Sequence, residues 1–343
     1  MVREPEPRSG DGAVIPKITV VVPTLAADES LAECLASLQN QSFRDFEIIV
    51  VDNSGKQLVQ ASNLVKVISN QSNVGFGAAI NQAFHASNAP YLATLNDDAA
   101  AHPQWLQALV SAIDAGPDIG MCASQVRLAG DGRIDSAGML LCADGSSKQR
   151  GHLDPPEKYL KKEEALCPSG SAALYRRAML EEIGLFDESF FLYCEDTDLG
   201  LRARWAGWEC LYVPDAVVDH VYSHSAGRAS RLKAYYVERN RLFLIVKNFP
   251  LRSLAFAPFH SLVRYFWHAW YASSGRGTAA TFRSQGNSMK DLAVYVLRAH
   301  FELLRRWPVL WKQRRQIKRR LNVRQFSGLA RRFSISARQV AAL

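Results

Sequence analysis

The chain has 343 residues, 48% apolar and 22% charged, the balance of a folded globular protein with room for one large domain or two ordinary ones. Its net charge of +8 is uneven: from Leu303 onward there are twelve Arg and Lys and no Asp or Glu, so removing those twelve charges leaves −4 for residues 1–302. A mildly acidic body with one basic end excludes a nucleic-acid-binding fold that is basic throughout.

Residues 1–16 alternate charge with Pro and Gly, have no apolar core, and read as a disordered leader rather than a signal peptide. The β-branched run 18–22, closed by Pro23, predicts a buried strand, and Leu31, Cys34, Leu35 and Leu38 follow at helical spacing. A second strand over 46–51 ends at Asp52-Asn53-Ser54-Gly55, a turn cluster. A third strand is expected over 64–69, a helix over 77–86, and a fourth strand over 91–95 that ends at Asn96-Asp97-Asp98. Pro103 opens the next helix. This alternation implies right-handed crossovers and a mostly parallel sheet.

Residues 129–165, rich in Gly, Asp and Lys, have little period and read as an excursion or mobile loop. Further on, Glu195, Asp196 and Asp198 open a helix that runs to Gly207, where the helix dipole favours anions. Asp198 and Arg202, four apart, read as a helix-face ion pair, and Trp205 and Trp208 as packing residues. A strand over 213–220 ends in Asp219-His220. The six cysteines are scattered without a C-x-x-C pair, which fits a reducing compartment. No stretch reaches eighteen uncharged apolar residues. Residues 254–272 come nearest but contain Arg264 and two histidines, and predict a surface-lying helix.

Ligands of open α/β sheets bind outside the carboxyl ends of the strands, and two of these strands end in acid. Such carboxylates can be turn residues; two facing one crevice can instead hold a hard divalent cation that holds a diphosphate. A separate carboxylate cluster can supply a general base. No G-x-x-x-x-G-K-[ST] and no strand-linked G-x-G-x-x-G is present, which favours transfer from a nucleotide-diphosphate donor over NTP hydrolysis or hydride transfer.

Several motifs in collinear order between residues 18 and 250 carry a resemblance: 20–24 (VVVPT), 50–54 (VVDNS), 73–81 (NVGFGAAIN), 95–98 (LNDD), 184–188 (GLFDE), 195–202 (EDTDLGLR) and 236–241 (YVERNR). The sequence resembles a family 2 inverting glycosyltransferase of the A-type fold, in its rhamnosyltransferase-like branch. The resemblance implies an α/β catalytic domain with a Rossmann-like, mostly parallel sheet over residues 17–250, and a helical, basic, amphipathic extension over 251–343. It implies that Pro23, Thr24, Asp52, Asn73, Gly75, Asn81, Asn96 and Asp97 bind the nucleotide sugar, and that Asp98 and His220 hold Mg2+ or Mn2+. The D-x-D position here begins with Asn96, one charge fewer, which should weaken metal binding without donor. Glu195 and Asp196 match the acidic pair, with Asp196 as the base. The implied donor is dTDP-L-rhamnose, with UDP-sugars as the alternative, and the implied acceptor a lipid-linked or polysaccharide glycan. A binding module without catalysis would have lost one of these acids, and none is lost.

Phe259, Leu262, Val263, Phe266, Trp267 and Trp270 line one side of an expected helix, with His260, Arg264 and His268 on the other; residues 289–307 predict a second amphipathic helix. Four of the seven Trp lie beyond residue 265, and Trp favours the headgroup boundary. The expectation is a cytoplasmic enzyme held peripherally on an anionic membrane face, with packing on the domain or a homo-oligomer as the other use of these helices.

Overall fold

The computed structural model describes residues 15–221 and 231–342. The leader expected over 1–16 therefore lies almost wholly outside the described residues. The chain begins with β1 (Ile18–Thr24), α1 (Glu29–Gln39), β2 (Phe46–Asp52), β3 (Val65–Ser69), α2 (Phe76–His85), β4 (Tyr91–Leu95), β5 (Ala99–Ala101) and α3 (Trp105–Ile113). It continues through β6 (Ile119–Leu128), β7 (Ile134–Ser136), β8 (Met139–Leu141), β9 (Ser147–Gln149), β10 (Glu163–Glu164), β11 (Ala172–Arg176), α4 (Arg177–Ile183), α5 (Glu195–Trp205) and β12 (Glu209–His220). Six helices follow: α6 (Arg231–Asn248), α7 (Leu251–Ser273), α8 (Gly277–Ser284), α9 (Met289–Gln316), α10 (Val323–Arg332) and α11 (Ala337–Ala342).

The main sheet runs β10-β12-β6-β11-β4-β1-β2-β3, with β5 on β12 and β7 on β6. Pairings β1–β2, β1–β4, β2–β3 and β6–β12 are parallel, and β11 sits antiparallel between β4 and β6. Both faces are covered, which is why β1 reads as a continuous apolar run instead of an alternating one. Val20 and Val22 point to a core shared with Leu31, Cys34, Trp105 and Leu109 of α1 and α3. Val21 points to the opposite core, with Ala79 and Ile80 of α2, Leu180 of α4, Leu199 of α5 and Phe243 of α6.

Residues 129–165, expected as an excursion or mobile loop, supply β7, the β8–β9 hairpin and β10, an ordered excursion from the main sheet. Ile134, Asp135, Ser136 and Ala137 are buried. The segments are too short and too polar for a period to show, and tertiary pairing fixes them. The last helices fold back on this region. The Phe326 ring stacks on Trp205 at 3.8 Å, the Arg320 N–H donates to the Trp205 carbonyl (2.9 Å), and Leu141 N–H donates to the Phe333 carbonyl (2.9 Å).

Candidate active site

β1, β2 and β4 end side by side, with Thr24 in register with Asp52. Asp52 is almost fully buried, and its two carboxylate oxygens accept from the N–H of Ser54 (2.9 Å) and of Val59 (3.1 Å). Burial opposes the charged carboxylate, but these hydrogen bonds outweigh it and hold Asp52 below its ordinary range. The Thr24 hydroxyl donates to Asp97 Oδ2 (2.6 Å), tying the end of β1 to the end of β4. Burial, with Asp98 adding to it, raises Asp97. Pro23, opposite Val51, is half-buried at the same edge.

The loop before α2 closes on itself and on the turn that precedes α5. Asn73 Oδ1 accepts from Gly75 N–H (2.9 Å), and Phe76 N–H donates to the Phe191 carbonyl (2.9 Å). Gly75 has φ of +90°, and a Cβ there would lie 2.4 Å from the Phe191 oxygen, so glycine is required. Asn81 is spent locally: its amide donates to the Phe186 carbonyl and to Glu188 Oε1 (both 2.9 Å) and accepts from Phe186 N–H (3.1 Å). The geometry gives Asn81 a scaffold contact with residues 186–188, while the strand-end acids gather at one edge.

At that edge His220, the last residue of β12, is buried between two carboxylates. Its Nε2 lies 3.1 Å from Asp98 Oδ1 and 3.3 Å from the Asn96 amide, and its Nδ1 lies 2.9 Å from Asp135 Oδ2. Burial disfavours the imidazolium, but the hydrogen bonds and charges of Asp135 and Asp98 prevail and push His220 up to about 9. Asp98 Oδ1 is buried, with the His220 ring nitrogen as its one polar neighbour among the described residues. An under-satisfied carboxylate oxygen beside an imidazole nitrogen, with a second carboxylate orienting the ring from behind, is a donor set that fits a divalent cation. Among the described residues no three or more His, Cys, Asp or Glu side chains are grouped to hold an ion.

The acidic pair stands at the N-terminus of α5. Asp196 Oδ2 accepts from Gly170 N–H (2.9 Å) and Oδ1 from the N–H (2.6 Å) and hydroxyl (3.1 Å) of Thr197, which fixes the carboxylate. Asp196 is half-buried and is raised by that burial despite these donors. Glu195 is buried, its Oε2 has no hydrogen-bond partner, and burial together with Asp196 raises it to about 8. The two clusters are joined across residues 169–171: Asn96 N–H donates to the Ser171 carbonyl (2.9 Å), and Gly170 N–H to Asp196.

The segment leading into α5 is strained. Phe191, Tyr193 and Cys194 have φ of 63°, 70° and 68°, a region that costs a non-glycine residue about 1–3 kcal/mol. It is held by α6. The Asn240 amide donates to the carbonyls of Phe190 (2.9 Å), Leu192 (2.8 Å) and Tyr193 (2.7 Å), and Arg239 Nη2 donates to those of Ser189 and Phe190 (both 2.8 Å). The motif over 236–241 was visible in the sequence, but this duty was not. Asp135 was missed altogether, because nothing in its local pattern distinguishes it.

Asp198 and Arg202 do pair, at 2.9 Å, but not on an exposed face. Asp198 is fully buried and also receives Lys247 Nζ (3.0 Å) and the Asn248 amide (2.8 Å) from α6. Arg202 donates to the carbonyls of Ile183, Gly184 and Leu185, closing the C-terminus of α4. Trp205 is buried against Phe326, and Trp208 Nε1 donates to Glu182 (3.1 Å).

The sequence profile of glycosyl transferase family 2 matches residues 19–184. An N-acetylglucosaminyl-diphospho-decaprenol L-rhamnosyltransferase of Mycobacterium tuberculosis is 30% identical over 249 residues, 64% of this chain and 81% of that protein. A rhamnosyltransferase of Escherichia coli is 35% identical over 99 residues, 26% of this chain and 37% of its own. Two solved structures share the fold. A mannosyltransferase from Pyrobaculum calidifontis in complex with GDP-Man and Mn2+ aligns with TM-score 0.52 at 16% identity, over 92% of this chain and 88% of that one. GalNAc-T7 with UDP, GalNAc and Mn2+ aligns with TM-score 0.54 at 17% identity, over 67% of this chain and 48% of that one, so this chain matches about half of its length.

Proposed function

The chain belongs to glycosyl transferase family 2, and from that premise we propose that it is an inverting, metal-dependent transferase that moves L-rhamnose from dTDP-rhamnose to a lipid-linked or polysaccharide glycan. The observation that carries this reading is the junction of two acidic clusters, Asp98 with His220 at the strand ends and Asp196 at the helix start, through residues 169–171. The rhamnose assignment is supported by the two rhamnosyltransferase relatives.

Asp196, aimed by Gly170 and Thr197, accepts the proton of the acceptor hydroxyl. As that proton leaves, the hydroxyl oxygen bonds to the anomeric carbon and the bond to the nucleoside diphosphate breaks on the opposite face, so a single displacement inverts the centre. Asp52, Thr24 and the loop from Asn73 through Gly75 hold the nucleotide, with Pro23, Asn96 and Asp97 at the same edge and Asn81 supporting the loop from behind. Asp98 and His220 would hold Mg2+ or Mn2+, which supplies positive charge to the departing diphosphate. Incubation with either ion and a panel of sugar nucleotides tests this: dTDP should be released from dTDP-rhamnose in the presence of acceptor. Release of UDP from a UDP-sugar instead would reject the donor.

We also assign residues 251–343 as the part that attaches a catalytic domain of residues 17–250 to an anionic membrane surface. No helix among the described residues is long and apolar enough to cross a membrane. α7 instead turns its polar stripe inward and its apolar stripe outward: Ser261 and Arg264 are buried, whereas Phe259, Leu262, Phe266 and Trp270 are 57–66% exposed. On α9, Leu297, Phe301 and Leu304 are about 70% exposed at the same helical spacing. Apolar insertion plus roughly 1 kcal/mol per basic residue near anionic lipid favours the surface. The protein should float with anionic liposomes, and a variant carrying Phe259→Ser, Leu262→Ser and Phe266→Ser should not. Equal flotation would show that α7 is not the contact.

A further inference from the structure

Between β8, the start of α7 and α10 lies a cavity of about 330 Å³ that the transfer step does not use. Its size is within the ~300–1,000 Å³ that small-molecule pockets occupy. Cys142, Phe249 and Phe326 line it from the protein side and are buried, while Phe256 stands exposed at its rim. The walls are fixed by contacts outside the cavity. Phe326 stacks on Trp205 of α5, and Leu141 of β8 donates its N–H to the Phe333 carbonyl (2.9 Å) and accepts from Ile335 N–H (3.2 Å). The groove is therefore built before anything enters it.

Two cations stand at this groove with no acid to meet them. Arg252 and Arg331 line it and are exposed, and no Asp or Glu lines it among the described residues. Arg252 makes no hydrogen bond or ion pair with the described residues, and Arg331 uses only its Nε, which donates to the Ser327 carbonyl (3.2 Å). Other arginines of residues 251–343 do find acids: Arg320 meets Glu182 at 2.7 Å and Arg332 meets Glu164 at 2.8 Å. The guanidiniums at the groove keep their terminal N–H donors for a group from outside the chain, and their fork matches a phosphate.

The surroundings of the mouth identify the occupant. Arg252, Phe256, Phe259 and Phe266 recur at helical spacing along α7, so the groove opens at the head of the outward apolar stripe. A free nucleotide or sugar would leave the aromatic lining uncovered. A second copy of the chain would bring a second basic extension to a face that is already basic, and the two would repel. An amphiphile with an apolar chain and an anionic head satisfies both the lining and the arginines.

We propose that this groove binds one anionic phospholipid, with an acyl chain among Phe249, Phe256 and Phe326 and its phosphate held by Arg252 and Arg331. The inference rests on the reading of residues 251–343 as the membrane-attaching part and deepens it. Attachment by the α7 stripe requires only a surface, whereas the groove requires a lipid of defined charge at a defined place.

Titration calorimetry on the full chain tests this with dihexanoyl phosphatidylglycerol, dihexanoyl phosphatidylcholine and inorganic phosphate, both lipids kept below the concentration at which they form micelles. The proteins are wild type, Arg252→Gln, Arg331→Gln and Ala330→Phe. Phosphatidylglycerol should bind at least ~10-fold more tightly than phosphatidylcholine, whose choline cation the arginines repel, and each Gln variant should remove about tenfold of that affinity. Ala330→Phe, which fills the groove from α10, should remove binding of both lipids. The Gln variants strand no acid, so their melting temperatures should match wild type. Equal phosphatidylglycerol affinity in wild type and both Gln variants overturns the proposal. Inorganic phosphate binding as tightly as the lipid overturns it too, in favour of a free-anion site. Flotation with anionic liposomes separates the groove from the attachment it rests on: the variant carrying Phe259→Ser, Leu262→Ser and Phe266→Ser should stop floating yet still bind dihexanoyl phosphatidylglycerol. Wild type that floats but binds no soluble lipid would overturn the groove and leave attachment standing. Arginine-dependent lipid binding without flotation would overturn attachment and leave the groove standing.

Discussion

On the donor side of the crevice, Asp52 is held by Ser54 and Val59 and Gly75 by Asn73, all near in sequence, while Thr24 is tied to Asp97, 73 residues away, and Asn81 to Phe186, 105 away. On the base side, Asp196 is reached by Gly170, 26 residues away, and the turn before it by Asn240, 47 to 50 residues away. A strand end in a parallel sheet comes with its own turn and needs little else. A carboxylate pair presented by three left-handed residues in a four-residue stretch needs outside support, because the turn itself is uphill. The base side therefore rests on strained backbone that a distant helix holds in place, whereas Asp52 sits in a turn of its own.

The largest effect that follows is at the base. Asp196→Asn keeps the shape and removes the proton acceptor, so turnover should fall by about 10²–10⁴ while dTDP affinity stays within a fewfold of wild type. Initial rates with dTDP-rhamnose, alongside dTDP titration on the same preparation, give both numbers. Turnover within a fewfold of wild type would move the base elsewhere, with Glu195 and its unpartnered Oε2 the next candidate.

Much of the donor side was legible because it is local. The strands ending at Asp52 and at Asn96-Asp97-Asp98, and the helix opening at Glu195, lie where the apolar runs and turn residues put them. What escaped the sequence is what depends on distance. Asp198 and Arg202 have the spacing of a surface pair, yet Lys247 and Asn248 of α6 draw Asp198 into the interior. Asp135 orients His220 from 85 residues away, within a segment whose short strands carry no readable period. Helical spacing gives α7 two stripes but cannot say which one faces the protein. Glu238 and Asp144 decide that by pairing with Arg264.

A smaller effect tests the remote support itself. Asn240→Ala withdraws one amide from three carbonyls, those of Phe190, Leu192 and Tyr193. A buried carbonyl left unsatisfied costs about 1–3 kcal/mol, so the melting temperature should drop, though water entering the gap will soften the loss. The turn should then relax away from its left-handed geometry, and a shift of about 1 Å in Asp196 is enough to cost about 10²-fold in turnover. Donor affinity should barely move, since Asp52 and Thr24 take no hydrogen bond from α6. The measurement is kcat, dTDP affinity and melting temperature on one preparation. If kcat and dTDP affinity fell together, the two sides of the crevice would be a single unit. If only stability fell, Asn240 would hold the fold without aiming the base, and the strain in residues 191–194 would have no part in positioning the carboxylates.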